Sequence, residues 1–480
     1  MSNKRFLTVV LGALMIGLLI NAVGWAQAAA EGAEEHDWVK EMKNPVPWFS
    51  WGFDQRNREI YSDNIVTLSE DLHGHNWHFQ RFRSRLWGVF TPDENLEIGT
   101  RLIWEWRNWC DPHSSFLTKD SNVEFDEALF DRLYVKMKNF LEMPLDVTLG
   151  RQDIILGNAW LVLDGTPEDG SRTIFFDAAR FNYKFDENNA ADIIFIHQQS
   201  EADETIEPFN DQERIRGLTD QDERGVIFYW TNKDLVPKGQ LDTFFIWKND
   251  SHVTDSGASR HPWSNEGDIY AFGARVAGAV DENWTYRAEF AQELGQKLTQ
   301  DWGGSGYQWA DLCAFGFNSR LGYNFNDEKK NEVHVDYEYL SGDDPSTGTN
   351  EQFDLLWARW PRWSENYIYA FVGETRIAEA TNLHRVAAGW SSSLTDKMQL
   401  CADYHLLFAD ENTRKDDPSF IQFSQSGDFR GQLLTAWLKY RYTRHISGHL
   451  LGEFFCPGNY YKNTNNDPSF FLRYELMLTF

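Results

Sequence analysis

Apolar side chains recur at every second position, in runs of ten residues or more, along most of this chain. At the C-terminus Leu472, Tyr474, Leu476, Leu478 and Phe480 form one face, and Arg473, Glu475, Met477 and Thr479 form the other. Leu96, Ile98, Thr100, Leu102, Trp104 and Trp106 oppose Glu97, Gly99, Arg101, Glu105 and Arg107 in the same way. Leu434, Ala436, Leu438 and Tyr440 oppose Thr435, Trp437, Lys439 and Arg441. A period of two is that of a β-strand. A half-buried soluble strand alternates for about five or six residues, whereas a tilted membrane strand needs about nine to eleven. The longer runs predict strands with one face to hydrocarbon and the other to water.

Eighteen such segments are predicted, over 48–58, 76–90, 96–109, 127–138, 144–151, 173–185, 189–198, 222–231, 239–248, 267–279, 283–295, 307–325, 331–341, 382–392, 397–409, 430–442, 446–456 and 469–480. The connections alternate strictly between short ones, such as 186–188 and 443–445, and long ones, such as 199–221 and 342–381. Short periplasmic turns and long external loops are the topology of an outer-membrane barrel, and an even strand number returns both ends to the periplasm. The expected fold is all-β: a transmembrane antiparallel β-barrel of about 18 strands. Whether a loop such as 342–381 enters the lumen cannot be read from the pattern.

The first residues stand apart. Lys4 and Arg5 precede an apolar run from Phe6 to Ile20, and Ala26-Gln27-Ala28 offers small residues for cleavage. This is the pattern of a signal peptide, and the run is too short for a membrane helix of about 20 residues. The predicted division is 1–28 signal peptide, 29–47 periplasmic lead-in and 48–480 barrel, placing the mature chain in the cell outer membrane. The formal net charge of −28 argues against nucleic acid as a partner. Lipid and lipopolysaccharide contacts are implied by location alone. Cys110, Cys313, Cys401 and Cys456 lie far apart and form no CxxC pair; four separate thiols, or one incidental bridge, fit this spacing. The 21 Trp and 18 Tyr fit aromatic girdles at the two membrane interfaces.

Alternation also assigns the pore wall, since charge on the lipid face costs up to about 2–4 kcal/mol. Arg81, Arg83 and Arg85 then line one strand, and Arg101, Arg107, Arg132, Lys136, Arg180, Arg275, Arg287, Arg320, Arg385, Lys439, Arg441 and Arg473 also point inward. The assignable inward acids are Glu97, Glu105, Asp242, Glu289, Asp336, Glu338, Asp403 and Glu475. Fifteen basic against eight acidic side chains predicts a lumen that favours anions, with the acid segregated into loops such as 201–224. Arginine suits this role because its planar fork grips carboxylate or sulfate in a bidentate way. The structural alternative is ordinary wall pairing, for instance Arg101 with Glu105 and Arg287 with Glu289. His73, His75 and His78 are close in sequence but lack a supporting ligand spacing and read as surface histidines. No calcium-loop spacing, nucleophile elbow or poised carboxylate pair stands out. The expectation is a channel needing no cofactor rather than an enzyme. A general diffusion porin is the alternative of the same class, and an outer-membrane hydrolase or a secreted carbohydrate-binding β-protein those of other classes.

Several local patterns match a known family. Leu149-Gly150-Arg151-Gln152-Asp153, then Gly157, then Phe176-Asp177-Ala178-Ala179-Arg180 resembles the alginate-export family of outer-membrane porins. Tyr339-Leu340-Ser341-Gly342-Asp343-Asp344 with Phe353-Asp354-Leu355-Leu356 is similar to a second signature of that family, and Gly431-Gln432-Leu433 with Phe455-Cys456-Pro457-Gly458 resembles its C-terminal region. The resemblance implies an eighteen-stranded barrel conducting an anionic polysaccharide outward, with a periplasmic partner that delivers the polymer. Gly157-Asn158-Ala159-Trp160-Leu161 departs from it, lacking the arginine the resemblance implies there.

Overall fold

A computed structural model describes residues 37–480 apart from 67, 72–74, 112–122, 165–174, 201–218, 220, 256–258, 261–264, 301–306, 345, 359–360, 368–379, 413–422 and 425. The predicted signal peptide, His73 and most of the acidic 201–224 segment lie outside the described residues.

All eighteen predicted segments form strands of one closed barrel: β1 Phe49–Asp63, β2 Asn76–Asp93, β3 Leu96–Asp111, β4 Val123–Met137, β5 Leu145–Gln152, β6 Phe176–Lys184, β7 Asn189–Gln198, β8 Gln221–Asn232, β9 Gly239–His252, β10 Gly267–Ala279, β11 Trp284–Gln300, β12 Tyr307–Asn324, β13 Glu332–Leu340, β14 Leu383–Thr395, β15 Met398–Phe408, β16 Phe429–Arg441, β17 Ile446–Pro457 and β18 Ser469–Thr479. Each strand pairs antiparallel with its sequence neighbour, and β1 pairs with β18, from Asp54 opposite Thr479 to Asp63 opposite Phe470. Closure leaves no free edge in the hydrocarbon, where an unpaired backbone group would go unsatisfied. The last residue takes part: Phe480 and Phe53 exchange backbone hydrogen bonds at 2.8 and 3.2 Å. A short helix, α1 (Asp37–Lys43), caps this seam. The Trp51 indole donates to the Met42 carbonyl at 2.7 Å, and the Lys43 ammonium lies 5.1 Å from the Phe480 ring centre.

The short turns are built by side chains that accept from their own backbone. Asp186 Oδ1 accepts from the Asn188 amide, and Asp281 Oδ1 from the Asn283 and Trp284 amides, all at 2.8 Å. These amide donors hold the Asp281 carboxyl below its usual range.

Burial is inverted relative to a soluble protein. Leu133, Phe195, Phe228, Phe245, Phe290, Leu321, Val335 and Leu434 are exposed, while Arg83, Glu223 and Asp242 are completely buried. The apolar rows face outward and do not meet in a soluble core. Several strands outrun their predictions at the external end, such as β1 to Asp63, β9 to His252 and β11 to Gln300. Above the bilayer the outward face no longer has to be apolar, so alternation fades while hydrogen bonding continues.

Alternation also fails in the external half of the lumen. Ile194, Ile227, Phe244, Ile246, Ile269, Leu312 and Ala314 point inward yet are apolar and buried. They pack against two chain segments that leave the wall and enter the barrel.

Candidate functional site

The first inward segment follows β5. Ile154–Ile155 pairs with Leu163–Asp164, and between them Leu156, Trp160, Leu161 and Val162 join the lumenal core. The second connects β13 to β14 and spans residues 341–382. Its Phe353, Leu355, Leu356 and Trp357 are almost fully buried, so the external half of the lumen is filled by packed side chains.

 The two segments hold each other: the Trp357 amide donates to the Leu161 carbonyl at 3.0 Å, and Trp160 stacks on Phe353 with ring centres 5.4 Å apart.

Two wall glycines make room for the aromatic side chains. A Cβ at Gly225 would lie 2.5 Å from the Trp357 ring, and one at Gly316 would lie 2.5 Å from the Phe353 ring. Charge completes the anchoring on that side. Lys297 donates to Asp354 Oδ2 at 2.6 Å, and Glu293 accepts the Asp354 amide at 2.9 Å. On the opposite wall Glu453 of β17 accepts from the Ser364 hydroxyl and from the Glu365 and Asn366 amides at 2.5–2.9 Å, and Arg473 of β18 pairs with Glu365 at 2.6 Å. Burial alone would push the Glu365 carboxyl up, but Arg473 and Arg58 overcome it and hold it at about 2. The segment thus crosses the lumen from β11 to β18.

Below this crossing the lumen is open and charged. A cavity of about 430 Å³ is lined by Arg287, Arg320, Arg362, Arg385 and Lys439, by Asp336, Glu338 and Asp403, and by Trp160, Trp363 and Trp437. Arg320 pairs with Asp336 at 2.6 Å, and Arg385 with Glu338 at 3.0 Å. Arg287 Nε has no hydrogen-bond partner among the described residues. Arg362, from the second inward segment, donates to the Asn158 carbonyl at 2.8 Å. A guanidinium therefore reaches the Gly157 turn, where the local sequence has none.

A second basic surface runs over β18, β1, β2 and β3. It contains Arg56, Arg58, Arg81, Arg83, Arg85, Arg107 and Arg473, with Asp54, Glu105, Glu365 and Glu475 among them. Arg85 pairs with Asp54 at 2.6 Å and Arg58 with Glu475 at 2.6 Å. Arg81 is buried beside Arg107, and its Nε and Nη2 find no partner among the described residues.

The remaining predicted arginines are mostly paired. Arg101 bonds Asp131 at 2.8 Å and Asp153 at 3.0 Å, and Arg132 also reaches Asp153. Arg180 pairs with Asp192 at 2.7 Å, and Arg275 with Asp242 at 2.6 Å. Arg441 is exposed at the periplasmic end of β16 and lines neither basic surface. The expected pairing of Arg101 with Glu105 is replaced by Asp131 and Asp153, while Glu105 lies 3.5 Å from Arg56.

The fully enclosed charge is close to balanced. Among the described residues twelve basic and fourteen acidic side chains are buried. Parity missed Asp54, Arg56 and Arg58 because the outward partners on β1 are Gln55, Asn57 and Glu59, which are themselves polar. It missed Asp354, Arg362 and Glu365 because they lie on an inward segment. The basic excess is local, confined to the two surfaces just described.

Comparison with known proteins agrees with this architecture. The structure of Acinetobacter baumannii OccAB2 matches with a TM-score of 0.53 at 9% identity, over 90% of this chain and 98% of that one. Pseudomonas aeruginosa OccK9 (OpdG) matches with a TM-score of 0.53 at 10% identity, again over 90% and 98%. Pseudomonas aeruginosa OpdK, solved with vanillate, matches with a TM-score of 0.51 at 9% identity over the same shares. At such identity the likeness concerns the fold. No curated protein matches by sequence. The alginate export family matches residues 48–472, nearly all of the barrel and both inward segments, and this chain belongs to that family as an outer-membrane channel.

Proposed function

We propose that this channel conducts an anionic, uronate-type polysaccharide across the outer membrane, gripping its carboxylates transiently on the two basic surfaces. The observation that carries this is the pair of guanidinium groups with unused donors, Arg81 and Arg287, each set among further arginines in the lumen. These donors bind no carboxylate of the described wall, so the positive charge of both guanidinium groups is left to act on an anion in the lumen. Of the lining tryptophans, Trp160 and Trp363 are already stacked on Phe353, Tyr367 and His405, which leaves the half-buried Trp437 to contact sugar rings. Weak binding at several sites, rather than tight binding at one, lets a polymer move on. The sequence division, with 1–28 as a cleaved leader, belongs to the same proposal and is checked by the mass of the membrane-extracted chain.

Reversal potentials in planar bilayers test the selectivity. The wild type is expected to favour anions, oligouronates are expected to block it, and Arg81→Glu with Arg287→Glu is expected to reverse its preference. A cation-selective wild type, or a preference unmoved by the double variant, overturns the proposal. Equal permeation of neutral and anionic oligosaccharides would instead mark a general diffusion porin. A second reading, passage of small carboxylates, is favoured by the packed apolar segment above the cavity; block that does not strengthen with oligomer length would select it.

A further inference from the structure

One polar cluster lies outside the lumen. On β1, β2 and β3 the outward face carries Gln55, Asn57, Glu59, His78, Gln80, Ser84 and Asn108, where neighbouring β18 presents Leu472, Tyr474, Leu476 and Leu478. At the external end of this stripe a carboxylate oxygen of Glu59, a ring nitrogen of His78 and the Cys110 sulfur all lie within 4.8 Å of one another. His78 stands opposite Tyr61, whose ring is 6.5 Å from that of Phe470, so the cluster sits level with aromatic side chains near the strand ends. His78 and Glu59 are each about two-fifths exposed, so the protein itself does not cover them.

We propose that Glu59, His78 and Cys110 form a binding site for a zinc-class divalent cation on the outer wall of the barrel. Carboxylate, imidazole and thiolate are the three donor types that zinc takes, with a fourth position left to water. The carboxylate is already oriented for it. Gln80 Nε2 donates to Glu59 Oε2 at 2.9 Å, and Asn108 Nδ2 donates to Gln80 Oε1 at 3.1 Å, leaving Glu59 Oε1 directed at His78 Nε2. Such supporting hydrogen bonds fix a ligand's orientation. On binding, the cation displaces the proton shared by His78 and Glu59, the imidazole keeps its hydrogen on Nδ1, and both that proton and the one from the Cys110 thiol pass to water. The three strands are held in register by the barrel, so the donors need only side-chain adjustments to close on an ion.

The test uses the full chain, folded in detergent and kept reduced, with cobalt(II) as the spectroscopic probe and zinc as competitor. One cobalt per chain is expected, with a thiolate-to-cobalt charge-transfer band that zinc abolishes. The band should vanish in Cys110→Ser, and cobalt affinity should fall about 10- to 100-fold in Gln80→Leu, which leaves all three ligands in place. Heat-modifiable gel mobility shows that each variant is folded. In a variant where Cys110 is the sole thiol, zinc should slow its reaction with a maleimide at least tenfold, and His78→Ala should remove that protection. Absence of the band in the wild type, its persistence in Cys110→Ser, or unprotected labelling overturns the site. None of these outcomes bears on ion selectivity through the lumen.

Discussion

Removing the Lys297 ammonium is the sharpest test of the crossing segment. Lys297 bonds Asp354 at 2.6 Å in a site where the two side chains are 11% and 1% exposed. Lys248, paired with Asp250 at 3.0 Å and 3.6 Å from Glu223, is the other cation of the same cluster, and Glu293 is its fourth carboxylate. Among the described residues four carboxylates thus share two lysines. Lys297→Met leaves them with one, and stripping a partner from a buried pair costs about 3–5 kcal/mol. At about 1.4 kcal/mol per tenfold, the undocked population of the segment rises on the order of 10²-fold to several 10³-fold. Asp354→Asn should be milder, because it relieves repulsion among the acids while keeping much of the side-chain volume. Single-channel recording reads the difference: Lys297→Met is expected to show larger and noisier conductance, and Asp354→Asn a smaller change. A folded Lys297→Met barrel with wild-type conductance, or an Asp354→Asn variant more open than Lys297→Met, refutes the account.

Two further outcomes follow from the same anchoring. Gly225→Ala and Gly316→Ala each place a methyl group 2.5 Å from a ring of the segment; a loss of about 1–3 kcal/mol should appear as earlier proteolysis within 341–382, and unchanged proteolysis in both would refute the close fit. The Glu365 carboxyl is held down from 4.5 to about 2, so its contribution is complete above pH 4.5 and disappears as pH falls towards 2. Conductance should therefore rise over that window, and Glu365→Gln should be open already at neutral pH; a titration identical in the two proteins would remove Glu365 from the anchor.

The strands were legible because lipid imposes one rule on every membrane segment. Leu472 to Phe480 shows this rule undiluted, while β1 and β2 depart from it with polar Gln55, Asn57, Glu59, His78 and Gln80 on the outward face. It fails wherever the face in question does not meet lipid or water. Ile193, Ile194, Phe195 and Ile196 are apolar on both faces, one towards the membrane and the other towards the inward segments. A register shift between Arg101 and Leu102 brings Asp131 into the lumen next to Arg132, although neighbouring residues of a regular strand face opposite ways. Phe353 to Trp357 reads in sequence as any short buried run, and nothing local reveals that its partners are Gly225 and Gly316 on distant strands.

The lumenal arginines differ in what their removal would report. Arg473 holds Glu365, Arg385 bonds Glu338 and lies 5.2 Å from the Trp363 ring, and Arg275 bonds both Asp242 and Asn158. Changing any of these alters the inward segments and the charge of the lumen together, so a shift in selectivity there has two causes. Arg101 is likewise bound to two aspartates. Arg81 and Arg287 carry donors that bind no carboxylate of the described wall. Among the described residues Arg287 bonds none of the groups that anchor residues 341–382, whereas Arg81 also helps to hold the Glu365 carboxyl down, so selectivity measured in an Arg287 variant alone separates conduction from the docking of that segment.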